Sequence, residues 1–171
     1  MKPFVVCCLV AGLAAVAAPA VAQDALAART LVEVCLPYAN RSQSFEKSIS
    51  AARALDYRRP VGTSAPLEEW SSEVDLVSDD GTMRLRIEEG TIERGDTAVY
   101  AVGCVLSSSR SSARELTDLG RRAFSDDTRW TSPRPSRWER RTARPAEYGL
   151  AAEVTEEPGA RPTLTVTGSY Y

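Results

Sequence analysis

Histidine is absent from this chain of 171 residues, and lysine occurs only at Lys2 and Lys47. Without histidine, the commonest general base of enzymes is missing and a Ser-His-Asp triad cannot form. The sequence also lacks a Gly-x-Ser-x-Gly motif, a phosphate-binding loop and a dinucleotide-binding fingerprint. These absences exclude the common catalytic schemes, and we expect neither a cofactor nor a metal site.

Long apolar runs are scarce as well, and the one that is present lies near the N-terminus. It covers residues 4–18, follows Lys2 and is broken by Pro19. Ala20-Val21-Ala22 then supplies the small-x-small pattern at which signal peptidases cut. The run is shorter than the about 20 apolar residues of a membrane-spanning helix. We therefore predict a signal peptide over residues 1–22 and a periplasmic or secreted protein without a transmembrane span after cleavage.

The remaining residues, 23–171, have the length of one ordinary domain. Loss of Lys2 leaves 20 of the 21 basic residues against 23 acidic ones, so the formal net charge changes from −2 to −3. A weakly acidic domain gives no sign of a nucleic-acid partner. We expect a single α+β domain that contacts an envelope protein or an anionic glycan or lipid surface.

Only two of the four cysteines, Cys35 and Cys104, lie beyond the predicted cleavage site. An even number of cysteines in an oxidising compartment favours a disulfide. The alternative is a pair of buried thiols. We predict a disulfide between Cys35 and Cys104.

The pattern of apolar residues changes from helical to strand spacing along the chain. Helical spacing predicts helices over 24–36 and 43–55, and Pro37 is expected to end the first one. Ser112-Ala-Arg-Glu115 is a capping box that opens a third helix. Alternation predicts strands near 74–76, 83–87, 97–106, 148–154 and 164–170. Asp80-Gly81 indicates a hairpin turn. We predict an antiparallel sheet of five to six strands with three helices packed mainly on one face.

The most basic part of the sequence is residues 129–144, which we term the Arg/Trp segment. Its arginines are Arg129, Arg134, Arg137, Arg140, Arg141 and Arg144, with Trp130 and Trp138 among them and only Glu139 to offset the charge. Guanidinium groups suit phosphate and carboxylate, and indole rings offer stacking area. This pattern predicts a ligand-binding surface of Arg137, Trp138, Arg140 and Arg141. The alternative is an irregular stretch with an edge strand, whose arginines are solvated while the tryptophans pack inward.

A second candidate site is Ser44-Phe-Glu-Lys47 at the start of the second helix. Ser-x-x-Lys places a hydroxyl and an amine on one helical face, where a desolvated lysine could activate the serine. These four residues resemble the nucleophile motif of penicillin-binding proteins and serine β-lactamases, but the companion Ser-Asp-Asn and Lys-Thr-Gly motifs are absent. The alternative is a helix cap, Ser42 or Ser44, followed by an exposed lysine.

Acidic pairs form a third candidate: Glu68-Glu69, Asp79-Asp80, Glu88-Glu89 and Asp126-Asp127. Paired carboxylates can serve acid–base chemistry or bind calcium. Their spacing does not match a calcium-binding loop, and each pair is expected at a turn or at the end of an element. We therefore predict turn and cap chemistry for them.

Four short stretches carry a resemblance: Cys35-Leu-Pro-Tyr38, Phe45-Glu46, Ala51-Ala-Arg-Ala-Leu55 and Gly103-Cys104. They resemble small uncharacterised exported proteins of alphaproteobacteria. The resemblance implies export and a disulfide but no activity. We expect an exported, non-catalytic envelope domain that binds or scaffolds a partner and contacts anionic groups through the Arg/Trp segment. The alternative is a small serine-type hydrolase that uses Ser44 and Lys47.

Overall fold

A computed structural model describes residues 18–61, 71–94, 97–142 and 148–170. Most of the predicted signal peptide, residues 1–17, lies outside the described part, while residues 18–22 begin the first helix. The elements are, in chain order, α1 Ala18–Thr30, a π-helical turn Leu31–Cys35, α2 Leu36–Ala39, α3 Phe45–Ala54, β1 Tyr57–Arg58, β2 Ser71–Ser78, β3 Met83–Arg94, β4 Thr97–Ser108, α4 Ala113–Phe124, β5 Trp130–Arg134, β6 Arg137–Arg140, β7 Tyr148–Thr155 and β8 Thr163–Tyr170.

All the described strands belong to one antiparallel sheet in the order β1-β2-β3-β4-β8-β7-β6-β5. The predicted α+β class is confirmed, but the expected five to six strands are wrong, because the sheet has eight. The additional strands are β1, which is too short to show alternation, and one strand of the hairpin β5–β6. Pro133 lies in β5, where an edge strand tolerates it because one side of its backbone has no strand partner.

The helices pack on one side of the sheet, which we term the covered face. Strand residues that point to this side are buried and apolar, whereas their neighbours in sequence point to the other side. The largest group comprises Val74, Leu76, Met83, Leu85, Ile87, Val102, Leu106, Leu150, Val154, Leu164 and Val166. The predicted disulfide is confirmed: Cys35 and Cys104 are both fully buried, with their Cα atoms 5.2 Å apart, and join the π-helical turn to β4.

The first helix differs from the prediction, because it does not end at Pro37. α1, the π-helical turn and α2 run on without a break as far as Ala39. The wider turn lets the Leu36 N–H donate to the Leu31 carbonyl. Proline has no N–H for the carbonyl four residues before it, that of Glu33, and Gln43 Nε2 donates to this oxygen instead at 3.4 Å.

The end of α2 is bound closely to β8. The hydroxyl of Tyr170 donates to the Ala39 carbonyl oxygen at 2.8 Å. Gly168 lies directly beneath this oxygen, and a β-carbon at Gly168 would overlap it. Tyr148 stacks on Tyr170 with 4.8 Å between the ring centroids. The absence of a side chain at Gly168 therefore allows the helix to approach the sheet.

The other two helices begin where the sequence predicts. α3 starts after Ser44, and α4 starts after Ser112, whose side chain and that of Glu115 form the predicted capping box. α4 packs on β7 and β8. A β-carbon at Gly120 of α4 would lie 2.6 Å from the Trp138 ring, so the glycine makes room for the indole.

Candidate functional site

The Arg/Trp segment forms the hairpin β5–β6, whose side chains alternate between the two faces of the sheet. Trp138 points to the covered face, is only 5% exposed and lies 5.2 Å from the Phe124 ring centroid. Trp130 is half-buried, and its ring centroid lies 4.4 Å from that of Phe124. The indole of Trp138 is therefore part of the core, and it is not available for stacking on a ligand. The rings pack inward, as the alternative interpretation expected.

Arg137 points away from the helices, to what we term the open face. Its Nε donates to Glu139 Oε1 at 2.8 Å and its Nη1 donates to Glu153 Oε2 at 2.7 Å. Arg134 Nη2 donates to the second oxygen of Glu153, also at 2.7 Å. Glu153 lies on β7, outside the Arg/Trp segment, and its carboxylate balances part of the positive charge of the segment. The sequence of the segment alone does not reveal this pairing.

Arg140 points to the covered side and is largely buried. One of its terminal nitrogens lies 3.4 Å from Asp127 Oδ2. Hydrogen bonds from Arg129, together with the nearby guanidinium charges, lower the pKa of Asp127 to about 2. Arg140 Nε is buried and has no hydrogen-bond partner among the described residues. Buried N–H groups without an acceptor are rare in folded proteins.

Arg141 follows β6 and is held through its backbone, whose N–H donates to the Arg129 carbonyl at 2.8 Å. Its side chain is exposed, and it forms no salt bridge with a described residue. Arg137, Arg140 and Arg141 together line a cavity of about 520 Å³, which also contains the hydroxyl-bearing Ser169. Three of the four predicted ligand-binding residues therefore line one cavity, although the guanidinium of Arg140 lies on the covered side of the sheet. Trp138 does not line this cavity.

The open face continues from this cavity across the sheet as a trough. The strand register places Glu88, Gly103, Thr167, Ala151 and Glu139 side by side on five neighbouring strands, from β3 to β6. The next row is formed by Gly90, Ala101, Ser169 and Gly149. Small side chains in two adjacent rows leave room above the sheet.

Two further cavities occupy this room. One has a volume of about 390 Å³ and shares Thr167 with the cavity at the arginines. The other has a volume of about 750 Å³ and shares Glu88 with the 390 Å³ cavity. The three cavities therefore lie next to one another across the open face, with the arginines at one end and Glu88 between the other two cavities. We term this row of adjoining cavities the trough.

Glu88 is the half-buried carboxylate of the trough, and its side chain lies flat over Gly103. A β-carbon at Gly103 would be 2.7 Å from Glu88 Oε1. Burial raises the pKa of Glu88, and the nearby carboxylates of Glu73 and Asp75 add to this rise, while Arg86 opposes it. Arg86 itself is engaged by Asp75 at 3.0 Å and Glu73 at 3.4 Å.

The other acidic pairs agree with the prediction in part. Asp79-Asp80 lies at the β2–β3 turn, where Asp80 accepts hydrogen bonds from Ser78 and Thr82. Glu88-Glu89 was expected at the end of an element, which is wrong, because it lies in the interior of β3. Glu68-Glu69 lies outside the described residues. Among the described residues, no group of three or more side chains could hold a metal ion.

Ser44 and Lys47 occupy the start of α3. Ser44 Oγ accepts a hydrogen bond from the backbone N–H of Lys47 at 3.3 Å, and both residues are exposed. This is the arrangement of a helix cap followed by a solvated lysine. Neither residue lines one of the three adjoining cavities.

No protein-family model, no curated protein and no solved structure shows significant similarity to the chain. In the described part of the chain, no helix is long and apolar enough to cross a membrane. The site therefore has to be interpreted from its own geometry and charge.

Proposed function

We propose that this protein is an exported, non-catalytic envelope domain that binds anionic groups at the cavity of Arg137, Arg140 and Arg141. One observation carries the proposal: the hairpin and the strand beside it bring these three predicted residues to a single cavity. Charge-assisted hydrogen bonds from guanidinium groups to carboxylate, phosphate or sulfate are among the strongest polar contacts in proteins.

The pairing of the arginines supports separate roles for them. Arg137 is fixed by Glu139 and Glu153, so it shapes the cavity wall while its charge is largely balanced. The guanidinium of Arg140 lies on the covered side beside Asp127, whereas Arg141 is exposed and forms no salt bridge with a described residue. An anionic oxygen in the cavity would supply a counter-charge for Arg141.

Export is supported by the disulfide between Cys35 and Cys104, since disulfides form and persist in oxidising compartments. The signal peptide and the periplasmic or secreted location remain part of the proposal.

The test is binding of two anionic probes, dextran sulfate and vesicles that contain phosphatidylglycerol, measured across a series of salt concentrations. We expect salt-sensitive binding, because exposed charge pairs are screened by added ions. Arg141→Gln should weaken binding about fivefold, which corresponds to about 1 kcal/mol. Arg161→Gln is the matched control, because Arg161 is exposed in the β7–β8 connection and its substitution removes the same charge.

An equal loss in Arg141→Gln and Arg161→Gln would show that only net charge matters, and it would contradict a specific site. Binding that is absent, or that does not change with salt, would also reject the proposal. A preference for one of the two probes identifies the source of the anionic group.

A further inference from the structure

We infer that the trough binds a short extended peptide with free termini, its carboxylate at Arg141 and its ammonium at Glu88. This inference deepens the proposed function and rests on it, because the arginine cavity is one end of the trough. Its own content is the second, cationic subsite at Glu88 and the class of ligand that two opposite charges select.

The first argument is the state of Glu88. Among the described residues, no side chain donates a hydrogen bond to its carboxylate, and no arginine or lysine lies within salt-bridge distance. Glu73 lies directly opposite Glu88 on β2, and like charges at such positions destabilise a sheet. A positive group of a ligand would relieve both the desolvation and the repulsion.

The second argument is the distance between Glu88 and the arginines along the trough. Glu88 lies on β3, and the arginines lie on or directly after β6, four strands away in the sheet. Neighbouring strands are about 4.8 Å apart, so the two charged subsites are separated by about 19 Å. An extended peptide advances about 3.4 Å per residue, and five or six residues therefore span this distance.

The third argument concerns the floor between the two subsites. Gly103, Ala101, Ala151 and Gly149 leave the backbone of the sheet accessible, and Thr167 adds a hydroxyl at the centre. No aromatic side chain of a described strand points to the open face, so this face offers no stacking platform for sugar rings. A narrow main chain with two terminal charges fits such a floor better than a glycan.

The test is calorimetric titration of the whole protein with the hexapeptide Ala-Ser-Ala-Ser-Ala-Ser in four forms. The forms have free termini, an acetylated N-terminus, an amidated C-terminus or both modifications. We expect each modification to weaken binding about tenfold, because each removes one charge-assisted contact. A tripeptide of the same composition should bind about tenfold more weakly than the hexapeptide, because it reaches only one subsite.

Two variants assign the ends. In Glu88→Gln, acetylation should no longer matter, while amidation should keep its effect. In Arg141→Gln the reverse should hold. Glu157→Gln and Arg161→Gln, both exposed between β7 and β8, are the matched controls and should retain both effects. Circular dichroism confirms that each variant is folded.

Equal binding of all four forms, or a lack of hexapeptide binding, would overturn the inference. If the polyanion and vesicle experiments still succeed in that case, the anionic site is retained and only the Glu88 subsite and the peptide are rejected. If those experiments also fail, the proposed function is rejected as well. A loss of both terminal effects in the two control variants would likewise overturn the assignment.

Discussion

The two faces of the sheet differ most clearly along β4, where alternate residues share one backbone but have opposite environments. Cys104 and Leu106 point to the covered face and have no exposed surface. Gly103 and Val105, their neighbours, line cavities on the open face. The covered face carries the disulfide and the buried apolar side chains, whereas Glu88 on the open face forms no salt bridge and accepts no side-chain hydrogen bond among the described residues. This contrast assigns stability to the covered face, and under the proposed function recognition belongs to the open face.

The largest expected effect is on the covered face. Replacement of both Cys35 and Cys104 by serine removes a bond that spans 69 residues of sequence, and it should lower the free energy of unfolding by about 4 kcal/mol. Thr165→Ala on the open face is the control, with an expected change within about 0.5 kcal/mol. Urea unfolding measures both. Similar losses in the two variants would remove the distinction between the faces.

Two glycines sharpen the comparison, since each makes room for a group on a different face. Gly168→Ala would force a β-carbon into the Ala39 carbonyl of α2, and we expect the free energy of unfolding to fall by about 3 kcal/mol. In Gly103→Ala the new β-carbon contacts only the flexible end of the Glu88 side chain, so the free energy of unfolding should fall by about 1 kcal/mol. Thermal or urea unfolding of the two variants gives the difference. A costlier change at Gly103 would contradict the assignment of rigidity to the covered face.

Alkaline pH should destabilise the covered face through its buried tyrosines. Burial raises the pKa of Tyr57 to about 12, against an opposing hydrogen bond with Thr30. The folded state therefore keeps a proton that the unfolded chain loses near pH 10, so the contribution of Tyr57 to stability is constant below about pH 10 and is lost as the pH rises towards 12. Tyr57 alone should cost about 1 kcal/mol at pH 11.

Urea unfolding at several alkaline pH values, with phenolate absorbance recorded in parallel, measures this loss. Tyr57→Phe removes the ionisable group and should flatten the dependence on pH. An unchanged slope in that variant would assign the alkaline loss to other groups, such as Tyr100, whose pKa burial also raises to about 12.

The smallest effect is a gain in stability on the open face. The pKa of Glu88 is raised, so the folded state disfavours its charge, and stability is lost as the pH rises through the normal range of a carboxyl group. Glu88→Gln should therefore raise the free energy of unfolding at neutral pH, by at most about 1 kcal/mol because solvent screens the half-exposed group. Glu157→Gln should leave stability unchanged. A loss of stability in Glu88→Gln would show that the carboxylate has a structural partner.

Much of the covered face could be predicted from sequence, because its determinants are local. The capping box at Ser112 and the turn at Asp80-Gly81 act within a few residues, and alternation in β4 follows from the pleat of a strand. The disulfide is the exception, because its cysteines are 69 residues apart, and it could be predicted because only these two remain beyond the predicted cleavage site. In the other cases a short pattern determines which way the chain turns or which side of it is buried.

The open face could not be predicted, because its features depend on residues far apart in sequence. Glu153 pairs with Arg137 only because β6 and β7 are neighbours. The helix that continues through Pro37 is a covered-face feature that was missed for a related reason: the donor to the Glu33 carbonyl comes from Gln43, in the connection before α3. The trough exists because the register aligns Gly103 with Thr167, and no pattern within either strand reveals that alignment.

The position of β8 has a consequence for the order in which the fold can form. Residues 163–170 form the last strand in the described chain, yet they lie between β4 and β7 near the middle of the sheet. Before they are synthesised, the chain can build two separate meanders, β1–β4 and β5–β7, each with an unpaired inner edge. Long-range pairing of this kind slows folding and leaves edges open to association. A chain that emerges residue by residue therefore joins these two meanders only after residues 163–170 have been synthesised.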